Sequence, residues 1–191
     1  MSIANIWMDG DLIIKILIIA LVLVLIMALE KMYQYFQTYR TMKQLEKLDT
    51  LEEVETLKDS FIKNTLLEIK NFQASSNTLL NAFVGVKLDM YEYYIMRYVT
   101  TIGVIAILSP MLGLIGTFTG VLHVFEGIGS IGLNDPAVIA RGIKEVLVDT
   151  MAGLIVAVIA MIFYKSFEYV SAKNISKYEE KIYMLLRGKN A

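Results

Sequence analysis

The sequence predicts an all-α membrane protein: three transmembrane helices with long cytoplasmic helical extensions, the N-terminus outside and the C-terminus inside. Three observations carry this. Of 191 residues 56% are apolar, and mean hydropathy is +0.56, against about 45–50% apolar in an average soluble domain. Three stretches stay apolar over the roughly 20 residues that a helix needs to cross a bilayer. Lysine and arginine gather on one side of those stretches, the bias that orients membrane proteins. Charge is nearly balanced, 18 Lys+Arg against 19 Asp+Glu, so nucleic-acid binding is not expected. With no cysteine there are no disulfides, thiolate metal sites or thiol nucleophiles.

Residues 1–11 read as the outer, periplasmic N-terminus, with two aspartates and no Lys or Arg. Lacking a positive region and a small-residue cleavage site, this segment does not read as a secretory signal, and the first span is expected to stay attached. That span, residues 12–30, is apolar apart from Lys15, near enough to one end to snorkel to the interface. Beyond it come Lys31, Arg40, Lys43 and Lys47, which place residues 31–97 in the cytoplasm. Within this region Leu45, Leu48, Leu51, Val54, Leu57 and Phe61 recur every three or four residues, the signature of an amphipathic helix packing against its neighbours. Gln73–Thr78 reads as a loop in which Ser76 or Asn77 caps the next helix. From Leu79 to Thr101 only Gly85 interrupts helix formers, which predicts that the second span, residues 98–126, continues inward as one long helix. Pro110 removes a backbone hydrogen bond and predicts a kink. A periplasmic turn without basic residues, 127–137, leads to the third span at 138–164. Residues 165–191, with Lys165, Lys173, Lys177, Lys181 and Arg187, continue it as a cytoplasmic C-terminal helix.

The second and third spans carry residues that a membrane helix should avoid. Arg141, Lys144, Glu145 and Asp149 lie in the first half of the third span, where a charge costs at least about 2.5 kcal/mol and must face a bundle interior or a wet cavity unless it snorkels. Gly113, Gly116 and Gly120 leave one face of the second span nearly bare, and Gly116 to Gly120 is a spacing that lets helix backbones approach closely. Thr117 lies on that side. On the third span Glu145, Asp149 and Gly153 follow at i, i+4 and i+8, with Thr150 adjacent. A single membrane threonine is usually structural, its hydroxyl bonded to the carbonyl one turn back. Two of them with Glu145 and Asp149 point to a hydrated, ion-handling surface. Such small-residue faces have no evident partner in a three-helix chain, which predicts several copies around a central space. His123, the one histidine, is no metal site by itself, and packing or a satisfied hydrogen bond is its expected role. No nucleophile, metal-ligand or phosphate-loop pattern occurs, so neither an enzyme nor a cofactor is expected.

The segments GLIGTFTGVLHVF, Gly113 to Phe125, and GIKEVLVDTMAGLIVAV, Gly142 to Val158, resemble the membrane subunit shared by the ExbB, TolQ and MotA proteins, the five-fold channel component of ion-driven motors. The resemblance covers about fifty residues densely. It implies that Thr117 and Thr150 face the pore and that Glu145 is the acidic residue at the start of the last span. Asp149 stands where that family usually has a small residue, which leaves its role open between a relay in the proton pathway and a contact that holds the helix. Three spans with the soluble mass between the first and second match the ExbB/TolQ arrangement, whereas the MotA type has four spans. The resemblance further implies a homopentamer in the cell inner membrane, a single-span partner of the ExbD/TolR type, and a TonB- or TolA-type energy transducer. A non-conducting membrane scaffold is the competing reading. It explains the glycines but not the acidic residues and paired threonines.

Overall fold

The computed structural model describes residues 12–48, 50–72, 76–131 and 136–189, and these are mostly helical. Among the described residues five α-helices follow in order: α1 (Leu12–Leu45), α2 (Phe61–Asn71), α3 (Asn77–Met96), α4 (Val99–Ile131) and α5 (Pro136–Lys189), with a 3₁₀ turn at Leu51–Thr56 between α1 and α2. Three of them, α1, α4 and α5, are long and apolar enough to cross a membrane. The helices form two compact units, residues 1–28 with 99–165 and residues 29–98 with 166–191.

In the first unit, α1 contributes Leu17 and Val24, α4 contributes Val99, Ile102 and Ala106, and α5 contributes Val156 and Ala160 to the interior. Most other large side chains point outward and are apolar, among them Ile26, Leu108, Phe118, Leu122, Leu154 and Ile162. In water such a surface would drive aggregation, whereas lipid solvates it. The chain is a multi-pass membrane protein. α4 runs on through Pro110 as one helix.

The second unit has a water-soluble pattern. Leu45, Val54, Leu57, Leu66, Ile69, Val84, Tyr91, Tyr178 and Ile182 form one buried cluster, and the ring pairs Phe72–Phe83 and Phe61–Tyr94 stack at 4.0 and 4.6 Å. Ion pairs lie at its surface, including Lys177–Glu46 at 2.8 Å and Lys70–Glu55 at 3.1 Å; exposed pairs of this kind each add little. Ser60 and Ser76 cap α2 and α3, their hydroxyls accepting the N–H of Lys63 and Leu79 at 3.2 Å.

Two expectations need correction. The apolar repeat from Leu45 to Phe61 is not one amphipathic helix. α1 ends at Leu45, a 3₁₀ turn spans Leu51–Thr56, and α2 starts at Phe61. Leu45, Leu48, Val54 and Leu57 are buried all the same; Val54 in the 3₁₀ turn and Leu57 directly after it are three residues apart, a spacing that puts side chains on one side of such a turn, where residues i and i+3 eclipse. Nor is the second span one helix with its cytoplasmic part. The chain breaks at Arg97–Tyr98, where Tyr98 adopts a left-handed φ of 68°. Such a φ is uncommon for a tyrosine and must be held by its surroundings.

Just before this break, polar side chains gather at the last turn of α3. Lys31 is fully buried, and its Nζ donates to Ile95 O and to Gln34 Oε1. Ser171 Oγ reaches the same Ile95 carbonyl at 3.4 Å, and Gln34 Nε2 reaches Tyr94 O at 3.5 Å. Tyr35 Oη donates to Phe167 O at 2.9 Å and lies 2.6 Å from Ser171 Oγ. Lys31, Gln34 and Ser171 thus meet carbonyls that the C-terminus of α3 leaves without partners, and a cation there also suits the helix dipole.

Tyr91 lies fully inside the second unit, its ring 4.3 Å from that of Tyr178. Burial pushes its phenol above the usual value of 10.0, with Tyr94 adding to the shift. Its folded pKa is therefore raised above the unfolded one, so the stability due to the neutral phenol is present below pH 10 and is lost as pH rises past it. Thermal melts followed by circular dichroism should show helix stability falling between pH 9.5 and 11.5, and Tyr91→Phe should flatten that fall. An equal fall in the variant would assign it to other groups.

Candidate functional site

The polar residues of the hairpin converge where α4 meets α5. The bare face of α4 is met within the chain rather than left for another copy. A Cβ placed on Gly113 would stand 3.0 Å from Asp149 O and 3.2 Å from Thr150 Cα, and one on Gly116 would stand 2.6 Å from Asp149 Oδ2. Gly120 sits against Val146, and Gly142 against Val124. Gly153 faces Ser109 O, which would be 2.6 Å from a Cβ there. Glycines on both helices thus allow a backbone approach that any side chain would block, as in close-packed membrane helix pairs.

Asp149 is buried at 4% exposure in this seam, its side chain against Gly116. Two half-buried threonines flank it, and each donates to a carbonyl of its own helix: Thr117 Oγ1 to Leu114 O at 2.6 Å, Thr150 Oγ1 to Val146 O at 3.3 Å. A hydroxyl engaged in this way keeps its lone pairs and can still accept from water. Thr119 and Ser109 repeat the pattern, to Gly116 O at 3.0 Å and Ile105 O at 2.7 Å. Of the sequence-derived candidates, Thr117, Asp149, Thr150, Gly113, Gly116, Gly120 and Gly153 lie at or beside the seam. The side chains of Glu145 and Arg141 fall outside the described residues. His123 is exposed, which corrects packing inside this chain, one of its two expected roles. Among the described residues no three His, Asp or Glu side chains converge as a metal site requires.

The description "MotA/TolQ/ExbB proton channel family" matches residues 53–180, two thirds of the chain and both helices of the seam. The chain belongs to this family. Its relatives within the MotA/TolQ/ExbB family include the biopolymer transport protein ExbB of Salmonella typhimurium, 39% identical over 82 residues that make up 43% of this chain and 31% of the relative. The Tol-Pal system protein TolQ of Pseudomonas aeruginosa is 37% identical over 70 residues, 37% of this chain and 30% of the relative. A putative ExbB homologue of Methanothermobacter thermautotrophicus is 44% identical over 69 residues, 36% of this chain and 24% of the relative. The matched part therefore spans about a third or less of these relatives' length. ExbB and TolQ names both occur among them, so the membership is of the ExbB/TolQ kind.

The polar cluster of Lys31, Gln34, Tyr35 and Ser171 was not singled out from the sequence. The one signal was Lys31 standing just past an apolar stretch, after Glu30, which also fits a cation snorkelling to the interface.

Proposed function

We propose that this protein is the ring-forming subunit of a proton-driven motor in the cell inner membrane. In this reading five copies surround a single-span partner of the ExbD/TolR type, with the N-terminus outside and residues 31–97 and 165–191 inside. Together they pass proton-motive force as mechanical work to a TonB- or TolA-type transducer. The chain would carry out no covalent chemistry. The observation that carries the reading is a buried carboxylate and two threonines at a glycine seam between two membrane-length helices, within the residues matched by a proton channel family. Membrane helices rarely hold such groups unless they face one another, a cavity or an ion path. Thr117 and Thr150 would offer hydrogen bonds to water and to a proton moving onto and off the partner's carboxylate. One charge crossing 100 mV releases about 2.3 kcal/mol, so a few protons per cycle supply a useful mechanical step.

The bonds from Thr117 and Thr150 to their own helix carbonyls favour a second reading, a non-conducting scaffold in which both hydroxyls are structural. Thr150→Val separates the two. It keeps the shape and removes the hydroxyl. Assembled with its partner, the variant should lose at least about tenfold of its proton-motive-force-dependent activity, the loss expected when a hydrogen bond to a charged group is removed. Full activity in an assembled complex would make Thr150 a packing residue and leave the scaffold reading.

A further inference from the structure

The second unit holds a cavity of about 360 Å³ walled by α1, the first turn of α2 and α3. Its charged residues are Arg40, Lys58 and Asp59. Asp59 is engaged by Lys63 at 3.2 Å, and among the described residues neither Arg40 nor Lys58 is in an ion pair. The wall therefore carries two positive charges without acidic partners, set among aromatic rings and neutral amides. The Arg40 guanidinium lies 4.2 Å from the centroid of the Phe36 ring. A ring face orients a guanidinium while leaving its N–H edge available to an anion.

A further feature favours an anion over a simple water-filled gap. Phe61 and Ile62 open α2 on the cavity wall, and first-turn N–H groups have no acceptor within their own helix.

We propose that this cavity binds the phosphate group of a soluble organic phosphate ester, with Arg40 and Lys58 as its charge partners and the organic part against the aromatic wall. Oxygen-rich dianions suit such a set, since guanidinium N–H forks and backbone N–H groups both match phosphate geometry. A phospholipid headgroup offers the same chemistry, but depth argues against it. With the first span ending at residue 30, Arg40 lies about 15 Å further along α1 at the rise of a helix. The polar layer of one leaflet is only about 5–8 Å thick.

Calorimetric titration of the full-length protein in mild detergent tests this, with adenosine monophosphate as the soluble probe and inorganic phosphate as competitor. Saturable binding that phosphate displaces is expected. The double variant Arg40→Gln, Lys58→Gln should weaken it at least about tenfold, as loss of charged hydrogen-bond partners does, while Lys70→Gln, an exposed cation outside the cavity, should leave it unchanged. Absence of saturable binding, or equal binding by the double variant, would overturn the proposal. Nanodiscs with and without phosphatidic acid form the second arm, read by protection of Arg40 from guanidine-directed labelling. Protection by phosphatidic acid, without binding of either soluble probe, would overturn the soluble source and assign the cavity to lipid.

Discussion

Alanine at Gly153 should separate α4 from α5 and cost the protein a large part of its stability. The added Cβ would stand 2.6 Å from Ser109 O and 3.0 Å from Gly113 Cα, whereas a comfortable carbon–oxygen contact is about 3.3–3.6 Å. Both obstructing atoms are backbone, so no rotamer change relieves them, and one helix must move. Overpacking in a filled interior costs about 1–3 kcal/mol, occasionally more, and this contact belongs at the upper end. Gly85→Ala is the matched control. Gly85 lies inside α3 with nothing within 4 Å of a Cβ, so the same change there should stabilise by about 0.5–1 kcal/mol through helix propensity. Unfolding of both variants in the same detergent, followed by circular dichroism, should move in opposite directions. A neutral Gly153→Ala would mean that the helices pack less closely than these distances say.

Asp149→Asn should assemble normally and lose nearly all proton-coupled activity. The amide keeps the shape of the carboxylate, so the contact with Gly116 survives, but the group can no longer take up and release a proton. Where a positioned acid or base carries a proton, its removal costs about 100-fold or more. A carboxyl that served only as a hydrogen-bond partner in the seam would tolerate the change. Activity therefore discriminates, provided that the proposed assembly is counted in the same preparation, for example by native mass spectrometry. Undiminished activity in an assembled complex would remove Asp149 from the proton path.

These tests rest on features that differ in how far the sequence announced them. The three apolar helices were legible because membrane-length hydrophobicity is a local, one-dimensional signal, and the long C-terminal helix was legible because nothing in residues 165–186 breaks it. The glycine positions were legible as a bare face, but not the identity of what covers it. Helical spacing says which residues share a side, and it is silent on which other helix arrives there. The break at Tyr98 escaped notice for a related reason. Arg97 and Tyr98 are neither glycine nor proline, and the helix ends where Lys31, Gln34 and Ser171, remote in sequence, supply its carbonyls with donors. Local propensity cannot register such a contribution. The 3₁₀ turn was misread because spacings of three fit both an α-helical stripe and a tighter helix over a few residues.

The continuity of α5 bears on which lengths of this chain evolution can sample. Gly142, which sits against Val124, and Gly153, which admits Ser109 O, lie 11 residues apart on one uninterrupted helix. At 3.6 residues per turn that is about three whole turns, so the two positions share a side. A single inserted or deleted residue between them would swing one by about 100° relative to the other and lose one of the two contacts. Length changes there are tolerable only in near-integral turns, about 7 or 11 residues at a time. The segment 46–60, which is not α-helical, imposes no such quantum. Homologues should vary freely in length across the latter and stay fixed, or jump by whole turns, across the former.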